Sequence, residues 1–161
     1  MRDGYTDLDD NDRNVDLEQY VNEAESHDYV EDLDRVDAKE SEHFLNIGVD
    51  LKAEARAGTF IQKDRSVIHS HACQQGVEVL PISKALTSHS WLADYVWRNI
   101  TPQKDEFTQR ANNNPHEGYF IRTQPGAQIE HPVQSCLYIA KEGFSQNVHN
   151  VVIAEEGSNL Q

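Results

Sequence analysis

His69, His71 and Cys73 alternate along SVIHSHAC, so on an extended strand all three side chains project to one face. Two imidazoles and a thiolate are ligands for a soft or borderline metal such as zinc or iron. Spacing limits what they can do together. At about 3.3 Å per residue the first and last Cα atoms lie roughly 13 Å apart, too far for one tetrahedral ion on a straight strand. A bend would gather the three. Alternatively, any pair of them could bind with ligands from elsewhere, such as His89 or His116. The competing reading is a polar strand face carrying a half-buried cysteine.

Other constellations are thinner. His69-x-His71 resembles the paired histidines of cupin metal sites, and GAQIEHP resembles their Gly-led strand turns. Those sites want a glutamate four or five residues after the second histidine, where this chain has Gln75 and Gly76, and Glu78 comes too late. A cupin-like metal-binding protein using His69 and His71 stands as the alternative function. Asp7, Asp9, Asn11 and Glu18 match positions 1, 3, 5 and 12 of a calcium loop, but Asp12 replaces the glycine of the sharp turn and Asn14 the apolar eighth residue. No phosphate-cradling G-x-x-x-x-G-K-[ST], no G-x-G-x-x-G and no G-x-S-x-G elbow occurs. Cys136 lies among apolar residues and reads as core. His149-Asn150 reads as a hydrogen-bonding pair that fixes a turn. No residue is expected to carry bond-breaking chemistry, and no cofactor is expected in this stretch of chain.

The elements that would position these groups divide by charge. Residues 1–50 hold 17 acidic and 4 basic side chains, while residues 51–161 hold 11 and 10. An acidic front repels phosphate backbones, and no basic stripe follows it, which argues against nucleic-acid binding. Two cysteines make no disulfide framework, and no apolar run approaches the ~20 residues of a membrane span. The N-terminus lacks a signal-peptide pattern, so a cytoplasmic address is expected.

Asp16 can cap a first helix with Leu17, Tyr20, Val21 and Ala24 on one face, and Asp37 a second, with Glu40 reaching back and Gly48 as its stop. Residues 1–13 are expected to be loose. Strands are expected at TFIQ, SVIHSHA and GVEVLPI. A helix opened by Ser88 or Ser90 would carry Trp91, Leu92, Tyr95, Val96 and Ile100, widened by Trp97. Thr101-Pro102 would start a short charged helix to about Arg110. Beyond the loop Asn112–Gly118, short strands are expected at YFIR, QIEH, QSCLYIA and HNVVIA, with another starting at Ser158.

GVEVLPI, YFIRTQPGAQIEHPVQS and VHNVVIAEEGS together resemble the SufB/SufD family, scaffold subunits of an iron–sulfur cluster assembly complex. GTFIQKDRSVIHSHA and SWLADYVWRNITPQKDEFT fit the same family. The resemblance covers about Gly58 to Gln161 well and the acidic front hardly at all. It implies an α+β chain: an acidic helical segment (1–57), a mixed strand and helix region (58–117), and the opening strands of a right-handed parallel β-helix (118–161). It implies a non-catalytic scaffold role, with cluster ligands, a SufC-like ATPase contact and a SufB/SufD-like partner subunit all served by regions beyond this chain. Some family members carry an N-terminal cysteine motif, whereas no cysteine precedes Cys73 here, which leaves SufB-like and SufD-like assignments both open. SNLQ stops in a strand without cap, charge or proline, so the chain is expected to be a fragment whose open edge drives self-association.

Overall fold

The computed structural model describes residues 15–51 and 55–161. The alternating runs of the middle and last thirds form six strands: β1 (Gly58–Lys63), β2 (Ser66–Ala72), β3 (Val77–Pro81), β4 (Tyr119–Thr123), β5 (Val133–Tyr138) and β6 (Val151–Ile153). They make two three-stranded sheets ordered β2-β1-β5 and β3-β4-β6. Each central strand has one antiparallel neighbour and one parallel neighbour: β1 with β2 and β5, β4 with β3 and β6.

Successive residues of β1 face opposite ways, and that splits the core. Phe60 packs with Val77, Val79, Ile121 and Ile129, so this cluster joins the two sheets. Ile61 packs instead with Ile68, Phe44, Val49 and Leu51, which seats helix α1 (Ala38–Asn46) against the first sheet. A third cluster gathers Phe120 and Val151 with Ile82 and Ala85 of helix α2 (Ile82–Ser88) and with Leu92.

Helix α1 starts where its cap predicts: the Asp37 carboxylate accepts the Lys39 and Glu40 amides, and Gly48 stops the helix at φ 87°. Glu40 does not reach back to complete a capping box. Its carboxylate pairs with Lys63 of β1 at 2.9 Å, where it ties the helix to the sheet.

Four expectations are corrected. Asp16 does cap, but only a 3-10 turn over Leu17–Gln19, because nothing buries the apolar face a longer helix would need. The stripe from Trp91 to Ile100 forms a 3-10 segment over Ser90–Asp94 and then breaks, with Trp97 at φ 59°. Helix α2 has already covered Phe120, so Leu92 is the single buried residue of that stripe and the tryptophans stay half-exposed. The charged helix α3 (Glu106–Asn113) begins after Asp105, not Thr101, since Asp105 and Thr108 form a reciprocal capping box. QIEH is no strand but a single bridge from Gln128 to Asn159. Of the calcium-loop residues, Asp7, Asp9 and Asn11 lie outside the described residues, as does the segment 1–13; Glu18 lies 3.8 Å from Arg110. Among the described residues no helix is long and apolar enough to cross a membrane.

Candidate functional site

Strand β2 carries His69 and His71 past the N-terminal segment, and Cys73 follows one residue beyond its end. His69 is buried, and its Nδ1 donates to the Val30 carbonyl at 2.8 Å, which leaves Nε2 as the unprotonated nitrogen of the neutral ring. Burial pushes its pKa down, against the opposing pull of that hydrogen bond. Tyr29 stacks on it, with ring centroids 6.3 Å apart. His71 is exposed, its ring centroid 6.3 Å from that of His69. Cys73 is exposed too, not half-buried. The ladder runs regularly from Gly58↔Ala72 to Ile61↔His69, so the strand stays extended from His69 to Ala72, and the Cys73 amide beyond it donates to the Ala57 carbonyl. Among the described residues no three His, Cys, Asp or Glu side chains cluster as a metal site.

The supplementary ligands are engaged elsewhere. His89 Nε2 donates to both Glu78 oxygens at 3.0 Å, which removes the carboxylate a cupin shell would need. His116 is buried, and its Nδ1 accepts the Asn147 amide at 3.0 Å. With two open three-stranded sheets in place of a closed barrel among the described residues, the cupin-like alternative has no support. Cys136 is partly buried against the α1 cluster, and burial raises its pKa, as suits an inert core thiol.

The dominant feature is one the sequence reading missed. Residues 116–129 lie alongside residues 147–160, and every strand or bridge pair between them joins residues 31 apart. Phe120, Ile121 and Arg122 pair with Val151, Val152 and Ile153, and Gln128 with Asn159. Between the strands the chains stay together: the His116 amide donates to the Asn147 carbonyl at 2.7 Å and the Gly126 amide to the Glu156 carbonyl at 2.9 Å. Side chains fill the gaps. Asn150 Oδ1 accepts the Tyr119 amide, Asn159 Oδ1 the Ile129 amide, and Thr123 Oγ1 the Glu155 amide. The signal was present as an internal repeat: GYFIRTQPGAQIE from Gly118 aligns with HNVVIAEEGSNLQ from His149.

This stack is open at one end. Val79, Ile121 and Val152 are paired in a row across β3, β4 and β6, with exposures of 2%, 5% and 53%. Leu137 of β5, on the matching side of the first sheet, is 37% exposed. The core therefore ends in an uncovered apolar row along the last strands.

Fold and site together define an α+β chain in which β4 and β6 pair in parallel 31 residues apart. No family model matches it. Among curated proteins it is 38% identical, over 151 residues and 91% of its length, to an iron–sulfur cluster assembly SufBD family protein of Methanothermobacter thermautotrophicus strain Delta H. A counterpart from Archaeoglobus fulgidus is 40% identical over 121 residues, 75% of the chain. The chain belongs to the SufBD family. It spans about a third of the length of these curated relatives, 37% and 32% respectively.

Proposed function

We propose that the chain serves as part of an iron–sulfur cluster assembly scaffold, with its stacked strands forming the opening coils of a right-handed parallel β-helix. The observation that carries this reading is the 31-residue separation of the pairs from Phe120–Arg122 with Val151–Ile153 and from Gln128 with Asn159, in a chain similar over most of its length to SufBD proteins. Stacked architectures bury each repeat against the next, and the uncovered row at Leu137 and Val152 is the surface on which a further coil would pack.

In this reading the chain is a structural subunit with no catalytic residue of its own, working in the cytoplasm within a complex. A SufC-like ATPase and a SufB/SufD-like subunit are the expected partners, met through parts of the family outside the matched length. Cluster iron and sulfide are cargo of the assembled complex.

A chimera tests this. The matched segment of the Archaeoglobus relative is replaced by residues 58–161 of this chain, and cluster loading is followed by absorbance and iron analysis. Loading at the relative's own level is the expected result. A folded chimera that assembles with its partners yet loads no cluster would remove the scaffold reading.

A further inference from the structure

Residues 15–31 cross the surface without entering it. Apart from one 3-10 turn they form a single bridge, and none of their side chains is buried. The segment carries six carboxylates and no lysine or arginine. At its end Tyr29 stacks on His69 and Val30 bonds to Ile68 and His69 of β2; before that, what holds it is polar. Arg110 donates to the Leu17 carbonyl at 2.6 Å and reaches the Glu18 carboxylate at 3.8 Å. The Val21 amide donates to the Gly143 carbonyl, and the Ser145 amide to the Val21 carbonyl, both at 2.9 Å. Glu23 is held twice, its carboxylate by Arg65 at 2.9 Å and its carbonyl by the Lys141 ammonium. His27 then closes on Asp64 and on the Ser66 hydroxyl.

The three cations come from places far apart in sequence: Arg110 from α3, Arg65 from the turn between β1 and β2, and Lys141 from just beyond β5. They line up beneath the one segment that is wholly acidic. A segment held by polar contacts at or near the surface, without buried apolar anchors, belongs to the less stable part of a fold. Its ionic contacts are also the kind that salt weakens, since screening shortens from about 8 Å at 0.15 M to about 3 Å at 1 M.

We propose that the face carrying Arg65, Arg110 and Lys141 is a docking track for an extended acidic peptide, occupied in cis by residues 15–31 as a displaceable strap. Recognition has two parts. Arg65 and Arg110 read carboxylates, Arg110 and Lys141 hold backbone carbonyls, and the backbone at Gly143 and Ser145 pairs with the peptide as in strand addition. The strap shows what such a ligand looks like: extended, acidic, with a small apolar residue at the pairing position. This inference stands apart from the scaffold reading and survives its failure.

Amide hydrogen exchange on the full chain tests it. Val21 and Ser145 should exchange at least about tenfold faster than Phe60 in β1, and faster again in 1 M salt, while Phe60 does not respond. A synthetic peptide of residues 15–31 is then added at millimolar concentration, matching the effective concentration of a tethered segment. It should speed exchange at Val21 by displacing the strap, whereas a scrambled peptide of the same composition should not. Arg65→Gln, at an exposed turn, should raise Val21 exchange without altering Phe60. Protection of Val21 equal to that of Phe60, indifference to salt, or equal action of both peptides would each overturn the proposal.

Discussion

Gly157 lies over Gly126, one repeat away: a Cβ built on Gly157 would sit 3.7 Å from the Gly126 Cα, and the two residues share φ values of 71° and 72°. The same left-handed turn recurs at the same point of each stacked segment. Turn and strand repeat together, which is why the pairing holds its 31-residue separation through the corner between Arg122 and Gln128.

The two glycines should be replaceable at modest cost, and Gly118 should not. At Gly126 and Gly157 an added Cβ meets nothing closer than ordinary contact, so alanine pays only for its left-handed conformation, about 1–2 kcal/mol. Gly118 is at φ 125°, and its Cβ would run into the His149 carbonyl oxygen of the stacked segment. Gly118→Ala should therefore cost more, about 3 kcal/mol or above, because backbone must move as well. Urea midpoints of the three variants decide this. Equal losses would mean that the close approach at Gly118 does not hold the stack.

Much of this architecture was legible residue by residue. β2 spans the SVIHSHA run, α1 follows the Asp37 cap, and Gly48 stops it, since those signals are local. The errors lie where tertiary contacts choose among local options. Trp91 to Ile100 has the periodicity of a helix, but α2 had taken much of the Phe120 surface, and only Leu92 was buried there, with Trp91 packed partly over it. Tyr20 and Val21 had the spacing for a helix face, yet Val21 pairs with Phe144 as extended chain. The repeat was in the sequence throughout, hidden because apolar matches such as Phe120 with Val151 and Ile129 with Leu160 preserve character and not identity.

Asp64 should be a stability determinant. It is buried in the turn after β1, where its carboxylate accepts the Ala140 and Lys141 amides at 2.8 and 3.0 Å and the His27 ring at 3.0 Å. Burial pushes its pKa up, but the Lys141 amide, His27 and the Ala140 amide together outweigh that and hold it below the ordinary range. A depressed carboxylate contributes stability above its unfolded pKa and loses it as pH falls through the lower folded one. The loss should begin below about pH 4. Asp64→Asn should lower stability by about 2 kcal/mol at pH 7 and flatten that acid limb. An unchanged urea midpoint together with an unchanged acid limb would show that the turn does not depend on the carboxylate.

A second acid transition belongs to the histidines. His69, His116 and His149 each have a pKa lowered chiefly by burial. Each is neutral in the fold, so the stability it carries is present above the unfolded value of about 6.5 and falls away as pH drops below it. Urea midpoints should decline between pH 7 and pH 5, well before the Asp64 limb. His69→Gln should reduce that slope. The slope should then persist through His116 and His149, and a flat profile across this range in the parent chain would contradict their burial.

The β2 ladder makes the last prediction. Regular pairing holds His69 to Ala72 on an extended strand, and Cys73 follows just past its end with its amide on the Ala57 carbonyl; a run of that length at about 3.3 Å per residue sets Cys73 roughly 13 Å from His69, beyond the reach of one ion. What remains is the pair His69 and His71, with the His69 tautomer fixed by Val30 so that Nε2 is the nitrogen able to bind. Anaerobic incubation with ferrous iron and sulfide, followed by desalting, should leave no iron that depends on Cys73. Cobalt titration should show at most weak binding, lost in His71→Ala and unaffected by Cys73→Ser. Iron that survives desalting and disappears with Cys73→Ser would mean that β2 bends around a metal, and that the three residues act as one site after all.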